Sequence, residues 1–191
     1  METLKTIYTR CSVRDYKQDS LSVECIESLI DAAIHAPTTA NRQAWSFTVI
    51  SDRTLLDRIS QEAKHYMTKE RPLALPEYLY DKLATADFHV LYNAPALIVI
   101  SGEINLPWMA EDCALAAQNL MLAAHDAGIG ACWIGLVQPY LATDAGSSAL
   151  RLGERMHPIA PIIVGWPAMQ SVPPLKNKAM IEWINEGSPH V

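Results

Sequence analysis

No CxxC pair occurs among the four cysteines, Cys11, Cys25, Cys113 and Cys132, and no two of them lie within three residues of each other. That argues against a zinc or dithiol redox motif, and the spacing does not suggest a disulfide framework. Reduced thiols in a cytoplasm are the simplest reading. HExxH, GxSxG and the Walker phosphate loop are also missing, which removes the commonest zinc hydrolases, serine hydrolases and nucleotide phosphatases. The histidines (His35, His65, His89, His125, His157 and His190) show no ligand spacing with the cysteines, so no metal is expected. Positive charge is scarce: 15 Lys and Arg stand against 21 Asp and Glu, for a net charge of −6. An acidic chain lacks the basic footprint that nucleic acid or an anionic membrane surface would need. Long apolar runs are absent too. Residues 1–16 have no signal-type apolar core. The uncharged run Cys113–Ala124 contains Gln118 and Asn119 and is too short to span a bilayer. A cytosolic protein is expected.

What remains is ordinary globular material. Half of the 191 residues are hydrophobic and 19% are charged, enough for one domain with a real core. Leu4, Ile7 and Tyr8 have helical spacing, so a short first helix is expected over 3–9. Ser22 is a good N-cap, with Leu21 and Ile26 placed as a hydrophobic staple. Ile26, Leu29, Ile30, Ala33 and Ile34 then form one apolar stripe, which Pro37 stops. Trp45–Ile50 alternates as a half-buried strand. A helix is expected over 53–66. Residues 67–88, with Pro72 and Pro76, read as a partly helical excursion and a natural place for a lid. Ala96–Ile100 reads as a buried strand. The segment 108–127 is a central helix, apolar nearly all round and rich in small residues, a form that allows close packing across a subunit interface. Gly128 ends it. Residues 131–134 and 160–164 read as two more strands. No repeat or linker divides the chain. The expectation is one α+β domain over 1–191: a sheet of about four short strands flanked by helices.

Three segments carry chemistry. In Arg10-Cys11-Ser12-Val13-Arg14, an extended backbone would turn residues 10, 12 and 14 to one side, giving two guanidiniums and a hydroxyl suited to a phosphate or a carbonyl edge. Alone, the segment fits a solvated turn as well. Lys176-Asn177-Lys178, after Pro173-Pro174, is a second basic pair, which alone fits a solvated tail. The loop from Pro37 to Gln43 offers Thr38, Thr39, Asn41 and Gln43 as donors and acceptors for a heterocycle or a ribityl chain, or simply as turn formers. The run Gly128-Ile129-Gly130-Ala131-Cys132-Trp133-Ile134-Gly135 contains GxG but follows a helix and precedes a strand, the reverse of the dinucleotide fingerprint. Gly135 allows a flat ring to approach the backbone. Cys132, in apolar surroundings, reads as an inert thiol.

In order, these segments resemble the nitroreductase family. The match runs through Arg10-x-Ser12-x-Arg14, Ala36-Pro37-Thr38-x-x-Asn41-x-Gln43-x-Trp45, Asn93-Ala94-Pro95 and Asp112–Ala124. It continues through Gly128-x-Gly130-x-Cys132-Trp133-Ile134-Gly135, Gly165-x-Pro167 and Pro174-x-Lys176-x-Lys178. Ala44 stands where proline is usual, and Lys178 where arginine is frequent. Residues 67–88 lie outside the matched motifs. The resemblance implies an α+β homodimer with a mainly antiparallel four-stranded sheet. Residues 166–191 would embrace the partner, with 180–184 as a strand added to its sheet.

It also implies FMN at the dimer interface. Arg10, Ser12, Lys176 and Lys178 would hold the phosphate, with Cys11 in the same segment, and Arg14 would sit at the pyrimidine edge as the electrostatic catalytic residue. Pro37, Thr38, Thr39, Asn41 and Gln43 would arrive from the other subunit. Trp133, Ile134 and Gly135 would lie against the ring. The implied activity is ping-pong transfer of hydride from NAD(P)H through flavin to a small-molecule acceptor such as a nitroaromatic, quinone or enone. A non-catalytic flavin-binding or sensory protein, and an oxygen-using flavin-fragmenting or dehalogenating enzyme, are the alternatives on the same scaffold.

Overall fold

The computed structural model describes residues 2–169 and 171–184; Met1, Gln170 and residues 185–191, which include His190 and the end of the expected tail, lie outside the described residues. Along the chain come α1 (Thr3–Thr9), α2 (Val23–Ile34), β1 (Trp45–Ile50), α3 (Arg53–Glu70), α4 (Glu77–Ala84) and β2 (Ala96–Glu103). They are followed by α5 (Met109–Asp126), β3 (Gly130–Trp133), α6 (Gln138–Leu141), α7 (Asp144–Ala149) and β4 (Met156–Gly165). The sheet order is β1-β2-β4-β3, and all three pairings are antiparallel.

The two inner strands are apolar on both faces because helices cover both. Side chains alternate along a strand, and in β2 Leu97 and Val99 join a core with Leu56, Ile59, Met67, Leu83 and Leu141 from α3, α4 and α6. Ala96, Ile98 and Ile100 join a second core with Leu29 and Ala33 of α2 and Ala116, Ala117 and Leu120 of α5. Two prolines sit in β4 without breaking it. Pro158 flanks a bulge, where pairing steps from Ile100↔Ala160 to Ser101↔Pro158. Pro161 lies just past the end of β3, and its carbonyl accepts from the Ile134 N–H at 2.8 Å.

Local chemistry explains the helix ends. Ser22 caps α2 by accepting from the Cys25 N–H, and Asp52 caps α3 by accepting from the Leu55 N–H. α3 runs four residues past the expected 66, to Glu70. It stops at Arg71, in the left-handed region with φ +44°, before Pro72. Met67, Tyr80 and Leu83 are buried. Core packing therefore claims three anchor points of the segment 67–88, and most of its other residues are exposed.

α5 buries Cys113, Ala116, Ala117, Leu120 and Ala124. Its other face is open in the single subunit: Leu115 is 46% exposed, Gln118 is exposed, and Met121 and Leu122 are half-buried. A helix apolar nearly all round is thus only partly covered within one chain. The tail is similar. Leu175, Met180, Ile181, Trp183 and Ile184 are all at least 70% exposed, and 180–184 pairs with no strand of its own subunit.

Candidate functional site

The segment Arg10–Arg14 is extended against the sheet. The Val13 N–H donates to the Ala131 carbonyl of β3 at 3.1 Å, and the Tyr16 hydroxyl donates to the Val13 carbonyl at 2.7 Å. Cys11 and Val13 are buried, whereas Arg10 is half-buried and Ser12 and Arg14 are exposed. The alternation is the one expected, with the two guanidiniums and the hydroxyl on the open side. Gly130 makes this approach possible: a Cβ there would lie 2.8 Å from Val13 Cγ1.

Cys132 lies beneath this row and is buried. Burial pushes its thiol above the usual range, and Arg14, Ser12 and Arg10 each pull it back in part. All three polar side chains thus act on a thiol carried by β3. Beyond it, Trp133 is half-buried, Ile134 is buried and Gly135 is exposed. Apart from its two chain neighbours, none of the described residues comes within 4 Å of where a Gly135 Cβ would stand. The backbone there has open space on one side.

Arg14 has a neighbour that sequence reading did not name. Its guanidinium carbon lies 5.9 Å from the centroid of the Tyr92 ring. Tyr92 and Asn93 are both left-handed, with φ +51° and +54°. A left-handed non-glycine residue leaves no signal in a sequence, which is why Tyr92 was missed.

The Pro37–Gln43 loop is a separate structure. A 3₁₀ turn spans Thr39–Asn41, and Ala40, Asn41 and Gln43 have φ between +50° and +54°. The Thr39 N–H donates to both carboxylate oxygens of Asp112 at 3.1 Å, and its hydroxyl donates to Asp112 Oδ1 at 3.3 Å. The Thr38 hydroxyl accepts from the Gln43 N–H, and the Gln43 amide donates to Asn41 Oδ1. Pro37, Asn41 and Gln43 are exposed, and Thr38 is half-buried. In the sequence Asp112 stands out only as part of a helix, because its tie to a loop 73 residues away leaves no local signal. Between this loop and α5 lies a cleft of about 170 Å³, lined in part by Arg42, Trp45, Leu106 and Trp108.

Within one subunit the two halves do not meet. Thr39 is tied to Asp112 at the start of α5, while Thr9, next to Arg10, is bonded to His125 at its end (2.8 Å). Thirteen residues of helix put these anchors about 20 Å apart. Lys176 and Lys178 are exposed on the extended tail, and neither side chain makes a hydrogen bond or ion pair among the described residues. No cluster of three or more His, Cys, Asp or Glu able to hold a metal ion occurs among the described residues. No helix of the described residues is long and apolar enough to cross a membrane.

Known proteins supply the frame for this arrangement. A protein of Archaeoglobus fulgidus, provisionally named an NADH dehydrogenase/NAD(P)H nitroreductase, is 31% identical over 172 residues, covering 87% of this chain and 86% of that one. A Bacillus subtilis protein named FMN reductase (NADPH) is 26% identical over 175 residues, covering 87% and 66%. Among solved structures, a nitroreductase with bound FMN from Desulfitobacterium hafniense superposes with a TM-score of 0.83 at 26% identity, covering 97% and 99%. The sequence model of the Nitroreductase family matches residues 7–166, which hold the Arg10–Arg14 row, the Thr38–Gln43 loop and the whole sheet. This chain belongs to the nitroreductase family.

Proposed function

We propose that this chain is a cytoplasmic FMN-dependent oxidoreductase that acts as a homodimer. It takes reducing equivalents from NAD(P)H and passes them to a small electrophile such as a nitroaromatic, quinone or enone. The observation that carries the reading is the row Arg10, Ser12 and Arg14, turned outward on an extended segment that is pinned to β3 by Val13.

The residues fit FMN in three respects. Guanidiniums and a hydroxyl at alternate positions suit a phosphate dianion and a polar ring edge. The open backbone at Gly135 leaves room for a flat ring. A basic cluster in a chain of net charge −6 marks an anionic ligand. FMN, when bound, supplies two-electron exchange with both nicotinamide and acceptor.

The protein's own residues then have distinct tasks. Arg10, Ser12, Lys176 and Lys178 hold the phosphate, with Cys11 as the buried anchor of the first segment. Arg14 presents fixed positive charge to the pyrimidine edge, a form of stabilisation that contributes on the order of a few kcal/mol in comparable sites. Trp133, Ile134 and Gly135 flank the ring by their backbone. Pro37, Thr38, Thr39, Asn41 and Gln43 come from the partner subunit. The α5 geometry supports that last assignment: two copies of the helix packed antiparallel about a two-fold axis set the start of one beside the end of the other. The open face of α5 at Leu115 and the exposed apolar tail are the surfaces such a dimer would cover. The chain acts as one domain, with 166–191 as the arm that reaches the partner and 67–88 as the excursion that covers the site. Donor and acceptor use one cleft in turn, which gives ping-pong kinetics.

The test is the absorbance of the purified protein, followed by anaerobic mixing with NADH or NADPH and then with an acceptor. A yellow protein that bleaches on mixing and regains colour with acceptor is expected. A colourless protein that cannot be reconstituted with FMN would overturn the reading.

A further inference from the structure

The chain between α4 and β2 is held far more firmly than a connection needs. Every backbone amide from 90 to 94 has an acceptor. The Val90 N–H donates to Ser60 Oγ at 2.9 Å. Those of Leu91 and Asn93 both donate to His89 Nδ1, at 3.2 and 3.3 Å. That of Tyr92 goes to the His89 carbonyl at 2.8 Å, and that of Ala94 to the Leu91 carbonyl at 3.0 Å. Arg53 closes the outside, donating to the Asn93 carbonyl at 3.2 Å and to Asn93 Oδ1 at 2.7 Å. Asp57 joins the Arg53 guanidinium to His89 Nε2, at 3.0 and 3.1 Å. This framework holds two consecutive left-handed residues, Tyr92 and Asn93. Neither is glycine, and strain of this kind persists only where surroundings over-determine it.

What the framework presents is the Tyr92 ring. Phe88 meets it edge-on, with centroids 5.5 Å apart and planes at 87°. The Arg14 guanidinium carbon and Lys82 Nζ each lie 5.9 Å from its centroid. Burial raises the phenol's proton affinity, and Arg14 acts in the opposite sense.

We infer that Tyr92 is a positioning residue for Arg14, and that the 89–94 turn is its rigid mount. An arginine on an exposed segment has several rotatable bonds and no fixed place. A ring face within about 6 Å attracts the cation and limits it to one region without neutralising it, as a carboxylate would. Arg14 therefore keeps its full charge for the ligand. The inference rests on the proposed role of Arg14 at the flavin and names the residue that makes that role possible.

The test compares FMN dissociation constants and flavin midpoint potentials for the wild type, Tyr92→Phe, Tyr92→Leu, Arg14→Ala and the Arg14→Ala/Tyr92→Leu double variant. Tyr92→Leu is expected to weaken FMN about three- to thirty-fold, the range of a lost cation–π contact, and to lower the potential. Tyr92→Phe keeps the ring and should restore most of both. The double variant should bind FMN no more weakly than Arg14→Ala alone. Tyr92→Leu that lowers the melting temperature but leaves affinity and potential unchanged would overturn the inference, as would effects of the two single variants that simply multiply. If Arg14→Ala moves neither quantity, the reading of the site fails and the inference with it. If Arg14→Ala moves both and Tyr92→Leu neither, only the inference fails. Should Tyr92→Leu not fold, Arg53→Leu, on a half-exposed side chain, carries the test: it loosens the mount and should weaken FMN, and unchanged affinity would overturn the inference.

Discussion

Asp112 holds Thr39 by three hydrogen bonds across 73 residues of sequence, two to its amide and one to its hydroxyl. The carboxylate sits in the first turn of α5, where the helix end favours a negative charge. One residue thus places a favourable charge at a helix start and fixes the loop proposed to reach the partner's flavin. Asp112→Ala should cost about 1–3 kcal/mol of stability, because the Thr39 amide loses its acceptors. Mixed dimers give a sharper check. A subunit with Asp112→Ala paired with a subunit carrying Arg10→Ala should bind one flavin normally. Both lesions then fall in one site, and the other is intact. If each site were built within a single subunit, no intact site would appear in the mixture.

Truncation after Ala168 removes the extended tail with Lys176, Lys178 and the exposed Trp183. The shortened chain should be monomeric by light scattering and should lose flavin on gel filtration. Lys176→Ala and Lys178→Ala together should leave the dimer whole and weaken FMN by on the order of tenfold or more, since each removes one charge-assisted contact. A truncated chain that stays dimeric with full flavin content would show that the tail does neither job.

His89 makes stability depend on pH in a definite direction. Burial lowers its affinity for a proton, against the opposing pull of Asp57. Its Nδ1 already accepts two backbone amides, so a proton there would break both bonds. Arg53 and Lys64 nearby disfavour the charge further. The unfolded chain therefore takes up the proton first, and folding stability falls as the pH drops below the ordinary histidine value of about 6.5. Thermal unfolding between about pH 7 and 5 should show a steeper loss for the wild type than for His89→Gln. Parallel curves would mean that His89 carries no part of the pH dependence.

Gly130→Ala should move the Arg10–Arg14 row, because its methyl would overlap Val13 at 2.8 Å. A cost of about 1–3 kcal/mol is expected from the overpacking, together with weaker FMN binding. Adding Val13→Gly to the same chain, which removes the Cβ at 2.9 Å along with both methyls, should recover part of the flavin affinity by making room. A double variant as poor as Gly130→Ala alone would place the damage in the β3 backbone and not in the contact with Val13.

Legibility in the sequence followed the range of the interactions. Ile34 of the α2 stripe is exposed, whereas the Ser22 cap and the buried part of that stripe, Ile26, Leu29 and Ala33, are local and were readable. So was the alternation that turns Arg10, Ser12 and Arg14 outward, since it needs only an extended backbone. The bulge in β4 was not readable, because it depends on how β2 and β4 settle their register around Pro158. The short helices α6 and α7 pack through Tyr140, Leu141 and Gly146 in a stretch with no long apolar period, and they were not foreseen. Asp112 and Tyr92 escaped for a related reason. Their importance lies in partners 73 and 78 positions away, Thr39 and Arg14, and no spacing rule connects such pairs.

The length of α5 has a consequence for how the protein behaves on dilution. In the proposed dimer, FMN would touch the start of this 18-residue helix in one chain and its end in the other, and so would bind only the assembled pair. Mass action then makes flavin uptake and subunit association reciprocal: each strengthens the other by the same factor. Activity per subunit should fall off at low enzyme concentration, and added FMN should bring it back.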